Sequence, residues 1–211
     1  MLSSDFIQAL VDKHEIVEVI GPRYGRALDW LDEAALKECF HADGWVDYGF
    51  FVGNAHDWCA VVLPIERQSV HRFHYTFNPL VDIHGDRADA ESNSVAGARM
   101  PNGAGGFNQS FYGSRYLDKL ERRDGRWKIL ERRVLLEFAQ QLPSAGSPDG
   151  SLKGLELVSG FSSSHPLYRR MTLSSRVWRG CSRVLNAFEG VGETIATAKQ
   201  VPSKRFSNTA S

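Results

Sequence analysis

Four extended runs joined by short turns occupy residues 70–84, 87–100, 107–122 and 126–138, and the chain ahead of them is mainly helical. Gly85-Asp86 and Asp124-Gly125 separate the first and last pairs, and the glycine-rich loop Pro101-Asn102-Gly103-Ala104-Gly105-Gly106 separates the middle pair. Turns of this kind between alternating runs specify hairpins. Hairpin-linked strands form an antiparallel sheet, and helices grouped before them cover one of its faces. The order of elements therefore predicts an α+β fold, with a curled antiparallel sheet around N-terminal helices.

Residues 4–29 carry Ile16, Ile20, Tyr24 and Leu28 at four-residue spacing, the stripe of an amphipathic helix. Ser4 is a suitable N-cap, and Gly21-Pro22 predicts a kink or a break. A second, short helix is expected over 32–40, capped by Asp32, with Leu36 and Phe40 on its apolar face. Residues 44–53 are aromatic and bounded by glycines, which predicts a strand. Residues 54–67 read as a helix with Trp58, Val61, Val62 and Ile65 on one side.

After Gln140 the composition changes, and residues 143–164 are rich in Ser, Gly and Pro. Two regions are expected: a folded domain over 1–140, and an extension over 141–211 that forms a lid or a subunit contact. Within the extension, 176–198 is a marginal helix, and Tyr168, Trp178 and Phe188 are its candidate anchors. Residues 202–211 are expected to be disordered.

The 25 basic and 25 acidic residues cancel, so charge points to neither nucleic acid nor a membrane surface as partner. The three cysteines, Cys39, Cys59 and Cys181, lie far apart, with neither a disulfide framework nor zinc-ligand spacing. His41 with Asp43 and Asp47 is the nearest approach to a metal cluster, and no metal or other cofactor is expected. Gly103–Gly106 lacks the strand and helix flanks of a phosphate loop, and Ser162-Ser163-Ser164-His165 is not a nucleophile elbow. The opening residues lack a signal-peptide pattern, and no apolar run reaches 18 residues. A soluble, cytoplasmic protein is expected.

Two segments stand out chemically. Arg23-Tyr24-Gly25-Arg26-Ala27-Leu28-Asp29 closes the first helical stretch, and His71-Arg72-Phe73-His74-Tyr75-Thr76-Phe77-Asn78 opens the first hairpin. A carboxylate that orients an imidazole makes a general base, and Asp29 with His74 has the right chemistry. A turn or cap role for Asp29, and a backbone-satisfied role for His74, are the structural alternatives. Arg72, His74, Thr76 and Asn78 share one strand face by alternation, and His71 replaces His74 if the register is reversed. Tyr24 precedes Asp29 by five residues, about 140° around an ideal helix. Both it and Tyr48 are candidate proton donors or plain core aromatics. Trp30, Trp45, Phe50, Phe51, Trp58, Phe73 and Phe77 exceed what one small core needs, which favours an aromatic-walled cavity and a ring-bearing ligand.

Arg-Tyr-x-x-Ala-Leu-Asp at 23–29, Val46-Asp47-Tyr48, His74-Tyr75 with Asn78, and the hairpin sequence from Tyr116 to Ile129 together resemble the SnoaL-like branch of the NTF2-like superfamily over residues 6–138. The resemblance implies a cone in which a curved antiparallel sheet wraps helices around a deep pocket. It also implies cofactor-independent lyase chemistry, with Asp29 and His74 as the base and Tyr24 and Tyr48 assisting. Trp45, Phe51, Trp58, Asn78, Arg99, Ser114 and Tyr116 are the expected substrate-binding residues; Arg99 falls nearest the place of a second pocket histidine. The expected reaction eliminates water or a small carbonyl fragment such as formaldehyde from an aromatic, lignin-derived or polycyclic compound. An isomerase or cyclase on the same pocket, and a non-catalytic binding module, are the alternatives. A homodimer or homotrimer through the open sheet face is also implied.

Overall fold

The computed structural model describes residues 3–144. Most of the expected extension, including the marginal helix and its aromatic anchors, lies outside the described residues.

Helix α1 (Ser4–Glu18) begins at Ser3, whose side chain accepts from Phe6 N at 3.2 Å. The cap is thus one residue earlier than expected. At Gly21-Pro22 the chain does not break. Val19–Arg23 forms a single π-turn that leads into α2 (Tyr24–Asp29). Pro22 has no N–H to donate, and the wider turn absorbs the missing bond. Ile16, Ile20, Tyr24 and Leu28 are all almost fully buried, so the four-residue stripe is the core face.

Asp32 caps α3 (Glu33–Glu38), accepting from Ala35 N at 3.0 Å. The helix stops before Phe40, which begins β1 (Phe40–Asp47). The expected strand over 44–53 is two strands, β1 and β2 (Val52–Asn54). Gly49 adopts φ +76° and donates to Asp47 Oδ1 at 3.0 Å, which turns the chain between them. Asn54 then caps α4 (Ala55–Glu66) through His56 N and Asp57 N.

Strands β3 (His71–His84), β4 (Arg87–Pro101), β5 (Phe107–Arg123) and β6 (Arg126–Ser144) follow as hairpins. The six-stranded, curved, unclosed sheet has the order β2-β1-β6-β5-β4-β3. It is antiparallel except at one place, where β1 pairs with β6 in parallel. Hairpin logic could not foresee that pair, because β1 lies far from β6 in sequence.

One sheet face covers the helices. Ala88, Ala90, Ser92 and Ser94 of β4 and Ser114, Tyr116, Asp118 and Leu120 of β5 are buried there, with Ile129 and Arg132 of β6. The core gathers Phe40, Trp58, Trp127 and the helical stripe against this face. No described helix is long and apolar enough to cross a membrane. Among the described residues no three His, Cys, Asp or Glu side chains gather as a metal site, and His41 Nε2 lies 2.9 Å from the Glu121 carbonyl.

Candidate active site

His74 lies on the helix-facing side of β3, opposite Ala96 of β4. Asp29 is the last residue of α2. Gly25 makes their meeting possible: a Cβ at this position would stand 2.6 Å from the His74 carbonyl oxygen. Helix α2 therefore rests backbone to backbone on β3, and only glycine permits that approach. One turn further on, Asp29 Oδ1 reaches His74 Nδ1 at 2.8 Å, and Oδ2 accepts from the His74 backbone N–H at 3.3 Å. The carboxylate only accepts, so Nδ1 carries a ring hydrogen, and in the neutral ring Nε2 presents its lone pair.

Both carboxylates near this imidazole sit at helix C-termini, where the helix dipole disfavours negative charge. Glu66 ends α4, and its Oε1 stands 3.8 Å from His74 Nε2. Arg72, buried two residues before His74, offsets both ends. Its Nη1 donates to the Asp29 carbonyl at 3.1 Å and its Nε to the Glu66 carbonyl at 2.8 Å. Its Nε also donates to Ser69 Oγ, and its Nη2 to the Ser69 carbonyl at 2.7 Å. One guanidinium thus fixes the ends of α2 and α4 beside His74.

A cavity of about 430 Å³ opens in front of the imidazole. His74, Glu66, Ser69 and Ser114 supply its polar groups, and Leu28, Val62, Ile65, Ala96, Ala98 and Met100 supply apolar wall. Tyr24, Tyr48, Trp58 and Tyr116 line it as well. Trp58 stacks on Tyr48, with ring centroids 4.3 Å apart.

The hydroxyls of Tyr24 and Tyr48 lie 2.6 Å apart. One donates to the other, which leaves one hydroxyl hydrogen free for a ligand. Burial drives both phenols well above the ordinary tyrosine range, and the nearby Arg132 cation only partly opposes this. Both therefore stay protonated, as donors. Arg132 is fully buried, donates twice to Asp118 at 2.7 Å, and stacks its guanidinium 4.2 Å from the Tyr24 and Tyr116 ring centroids. A cation under phenol rings strengthens their O–H as donors.

The structure sorts the sequence candidates. His74, Tyr24, Tyr48, Trp58, Ser114 and Tyr116 line the cavity, and Asp29 holds His74 from behind. That arrangement resolves the helical angle between Tyr24 and Asp29: the tyrosine faces the cavity and the aspartate faces the strand. Ser114 Oγ lies 2.6 Å from Ser94 Oγ.

Four expected substrate-binding residues are elsewhere. Asn78 is exposed at φ +53°, within a bulge between Phe77 and Leu80 that shifts the register of β3. The extra residue breaks the alternation that had placed it beside His74. Arg99 falls between the cavity residues Ala98 and Met100, hence on the opposite face, with its guanidinium 4.3 Å from the Phe107 ring centroid. Trp45 alternates with the buried Val46 and lines a separate outer cleft with Leu80 and Leu117. Phe51 packs against the core edge, and its neighbour Phe50 reaches the cavity instead. His71 pairs with Arg99 on that opposite face, so the register selects His74.

Sequence reasoning missed Glu66, Arg72, Arg132 and Asp118. Arg72 left a trace, as an arginine on the same strand face as His74. Glu66 left none beyond closing a helix.

Helices first, a curved sheet over them, and a cavity lined from both define a class of small α+β domain. The sequence matches the SnoaL-like domain over residues 8–133, and the chain belongs to that family. Among solved structures it is similar to a putative scytalone dehydratase from Novosphingobium aromaticivorans, with 19% identity, a TM-score of 0.57, and coverage of 67% of this chain and 97% of that one. It is also similar to a hexachlorocyclohexane dehydrochlorinase from Novosphingobium barchaimii, with 16% identity, TM-score 0.57, and coverage of 67% and 95%. An NTF2-like protein with a cystatin-like fold from N. aromaticivorans gives 25% identity and TM-score 0.53, covering 70% and 94%. No curated protein matches the sequence.

Proposed function

We propose that this protein is a cofactor-independent lyase in which His74, oriented by Asp29, removes a proton from an aromatic substrate. The observation that carries this reading is the 2.8 Å contact between Asp29 and His74 Nδ1, with the other side of the ring on the cavity. Solved structures of similar fold bear the names of a dehydratase and a dehydrochlorinase, which favours elimination over other uses of the same base.

The neutral imidazole takes the proton at Nε2, and Asp29 stabilises the imidazolium that forms. When the proton comes from carbon, the C–H pair forms a double bond, the neighbouring C–O bond breaks, and the oxygen leaves as water with the proton that His74 holds. When it comes from a hydroxyl, the O–H pair forms the C=O of formaldehyde, the C–C bond breaks, and its pair forms the double bond as the neighbouring hydroxyl leaves as water with that same proton. The free hydroxyl hydrogen of the Tyr24–Tyr48 pair supports the departing or developing oxygen anion. A cavity lined by the rings of Tyr24, Tyr48, Phe50, Trp58, Tyr112 and Tyr116 suits a flat lignin-derived or polycyclic substrate. Positioning the base and the hydroxyl donor around the substrate lets side chains alone supply the chemistry.

The test is turnover of benzylic alcohols, screened by product mass. His74→Ala and Asp29→Asn are each expected to lower turnover by at least about 10² while the circular dichroism spectrum stays unchanged. Near-wild-type turnover in either variant would falsify the base. A product of unchanged mass would instead identify an isomerase or cyclase. The working form we propose is a homodimer or homotrimer.

A further inference from the structure

Nε2 of His74 does not face the cavity alone. Glu66 Oε1 stands 3.8 Å away and lines the same cavity. The separation is too long for a direct hydrogen bond. In the neutral ring that the proposed base requires, Nδ1–H is committed to Asp29 and Nε2 is an acceptor, as is the Glu66 carboxylate. Two lone-pair groups stand side by side, and neither satisfies the other. Arg72 Nε lies 3.7 Å from the other carboxylate oxygen, Oε2, an ion-pair distance that leaves Oε1 open to the cavity.

We infer that this pair of acceptors selects a substrate that presents two hydroxyl hydrogens together, a vicinal or 1,3-diol carried on an aromatic body. One hydroxyl donates to His74 Nε2, where the proton is taken. The other donates to Glu66 Oε1. Glu66 is thus a specificity-determining residue, and the inference rests on the reading of His74 as the base.

Three features argue for it. Hydroxyls on neighbouring or next-neighbouring carbons can each reach one acceptor at ordinary hydrogen-bond length when the acceptors are 3.8 Å apart. Ile65, Ala96, Ala98 and Met100 are apolar, and of the lining serines Ser69 Oγ already donates to the Glu66 carbonyl and Ser114 Oγ pairs with Ser94 Oγ, so a single ligand hydroxyl would leave one of the two half-buried acceptors unpaired. The Arg72 guanidinium, fixed between Glu66 and the end of α2, offsets the carboxylate charge and so favours a neutral double donor over an ammonium.

The probes are styrene glycol, phenethyl alcohol and phenethylamine, which share one skeleton. Binding is read from the His74 imidazole nitrogen resonances by NMR. Wild-type protein is expected to bind styrene glycol at least about tenfold more tightly than phenethyl alcohol, because a site built for a hydroxyl discriminates against its absence. In Glu66→Gln the amide donates to Nε2 and closes the gap, and in Glu66→Leu the acceptor is gone. Both variants should bring the two alcohols to within about twofold of each other. Equal binding of the two alcohols by wild type, no binding of any probe, or a preference that survives both substitutions overturns the inference. Tightest binding of phenethylamine also overturns it, and makes Glu66 a cation site. Turnover of His74→Ala separates the two readings. Lost turnover without diol preference sinks only the role of Glu66, whereas retained turnover sinks the base.

Discussion

Single residues set the position of the candidate base more tightly than any element does. Gly25 is the clearest case, because the first atom of any side chain there would meet the His74 carbonyl oxygen at 2.6 Å. Gly25→Ala must lift α2 from β3, and Asp29 rides on the end of that helix. Overpacking of this kind costs about 1–3 kcal/mol. The variant is expected to lose several degrees of thermal midpoint and to lose turnover by more than that instability explains at a permissive temperature. A wild-type midpoint together with wild-type turnover would show that the contact is not constraining. Arg72 acts on the same geometry from the other side, holding the carbonyls of Asp29 and Glu66 at once.

At the scale of elements, α1 is pinned to the β5–β6 hairpin by two carboxylates, Glu15, which accepts from Trp127 N at 3.4 Å, and above all Asp12. Asp12 is buried and accepts from Arg122 Nη1 at 2.8 and 2.9 Å, from Trp127 Nε1 at 3.0 Å and from Gln8 at 3.1 Å. Burial raises its pKa, but the Trp127 and Gln8 hydrogen bonds and the Arg122 charge outweigh that and hold it below the ordinary 3.8. A depressed carboxylate contributes stability that is fully present above the unfolded-state pKa and disappears as pH falls through the folded value. Melting at a series of pH values should therefore show stability falling below about pH 4. Asp12→Asn should flatten that limb and cost about 1–3 kcal/mol at neutral pH. An acid limb of the same depth in the variant would assign the effect to other groups. The π-turn belongs to this scale too. By keeping α1 and α2 continuous past Pro22, it carries the buried stripe from Ile16 to Leu28 without a break.

For the whole molecule, the sheet has two very different faces. The inner one builds core and cavity. The outer one is paved with rings, and two of these lie across glycines. A Cβ at Gly97 would meet the Phe73 ring, and one at Gly113 the Phe138 ring. Tyr75, Phe77, Leu80, Leu117 and Leu135 remain exposed on that face. Apolar surface gathered in this way marks an association site. If the proposed homo-oligomer forms there, light scattering should give two or three chain masses for the wild type. A Leu117→Lys, Leu135→Lys double variant should give a lower mass, with the cavity intact. A single-chain mass for the wild type would remove the proposal.

Most of the fold was legible because it is written in local periodicity. The stripe from Ile16 to Leu28, the cap at Asp32 and the turns at Gly85-Asp86 and Asp124-Gly125 each depend on neighbours in sequence. The pair of Asp29 and His74 was legible up to the strand register, because an aspartate closed a helix and two histidines, His71 and His74, offered themselves on opposite faces of one strand. What the tertiary structure alone decided is which way side chains point, and what meets across distance. A single added residue in β3 sent Asn78 outward, since strand faces alternate with a period of two and one extra residue reverses them. The parallel pairing of β1 with β6, and the meeting of Glu66, Arg72 and Asp29 around one imidazole, join segments far apart in the chain. Sequence by itself determined the elements and the reactive groups; packing, which acts between segments that sequence does not relate, decided the cavity those groups share.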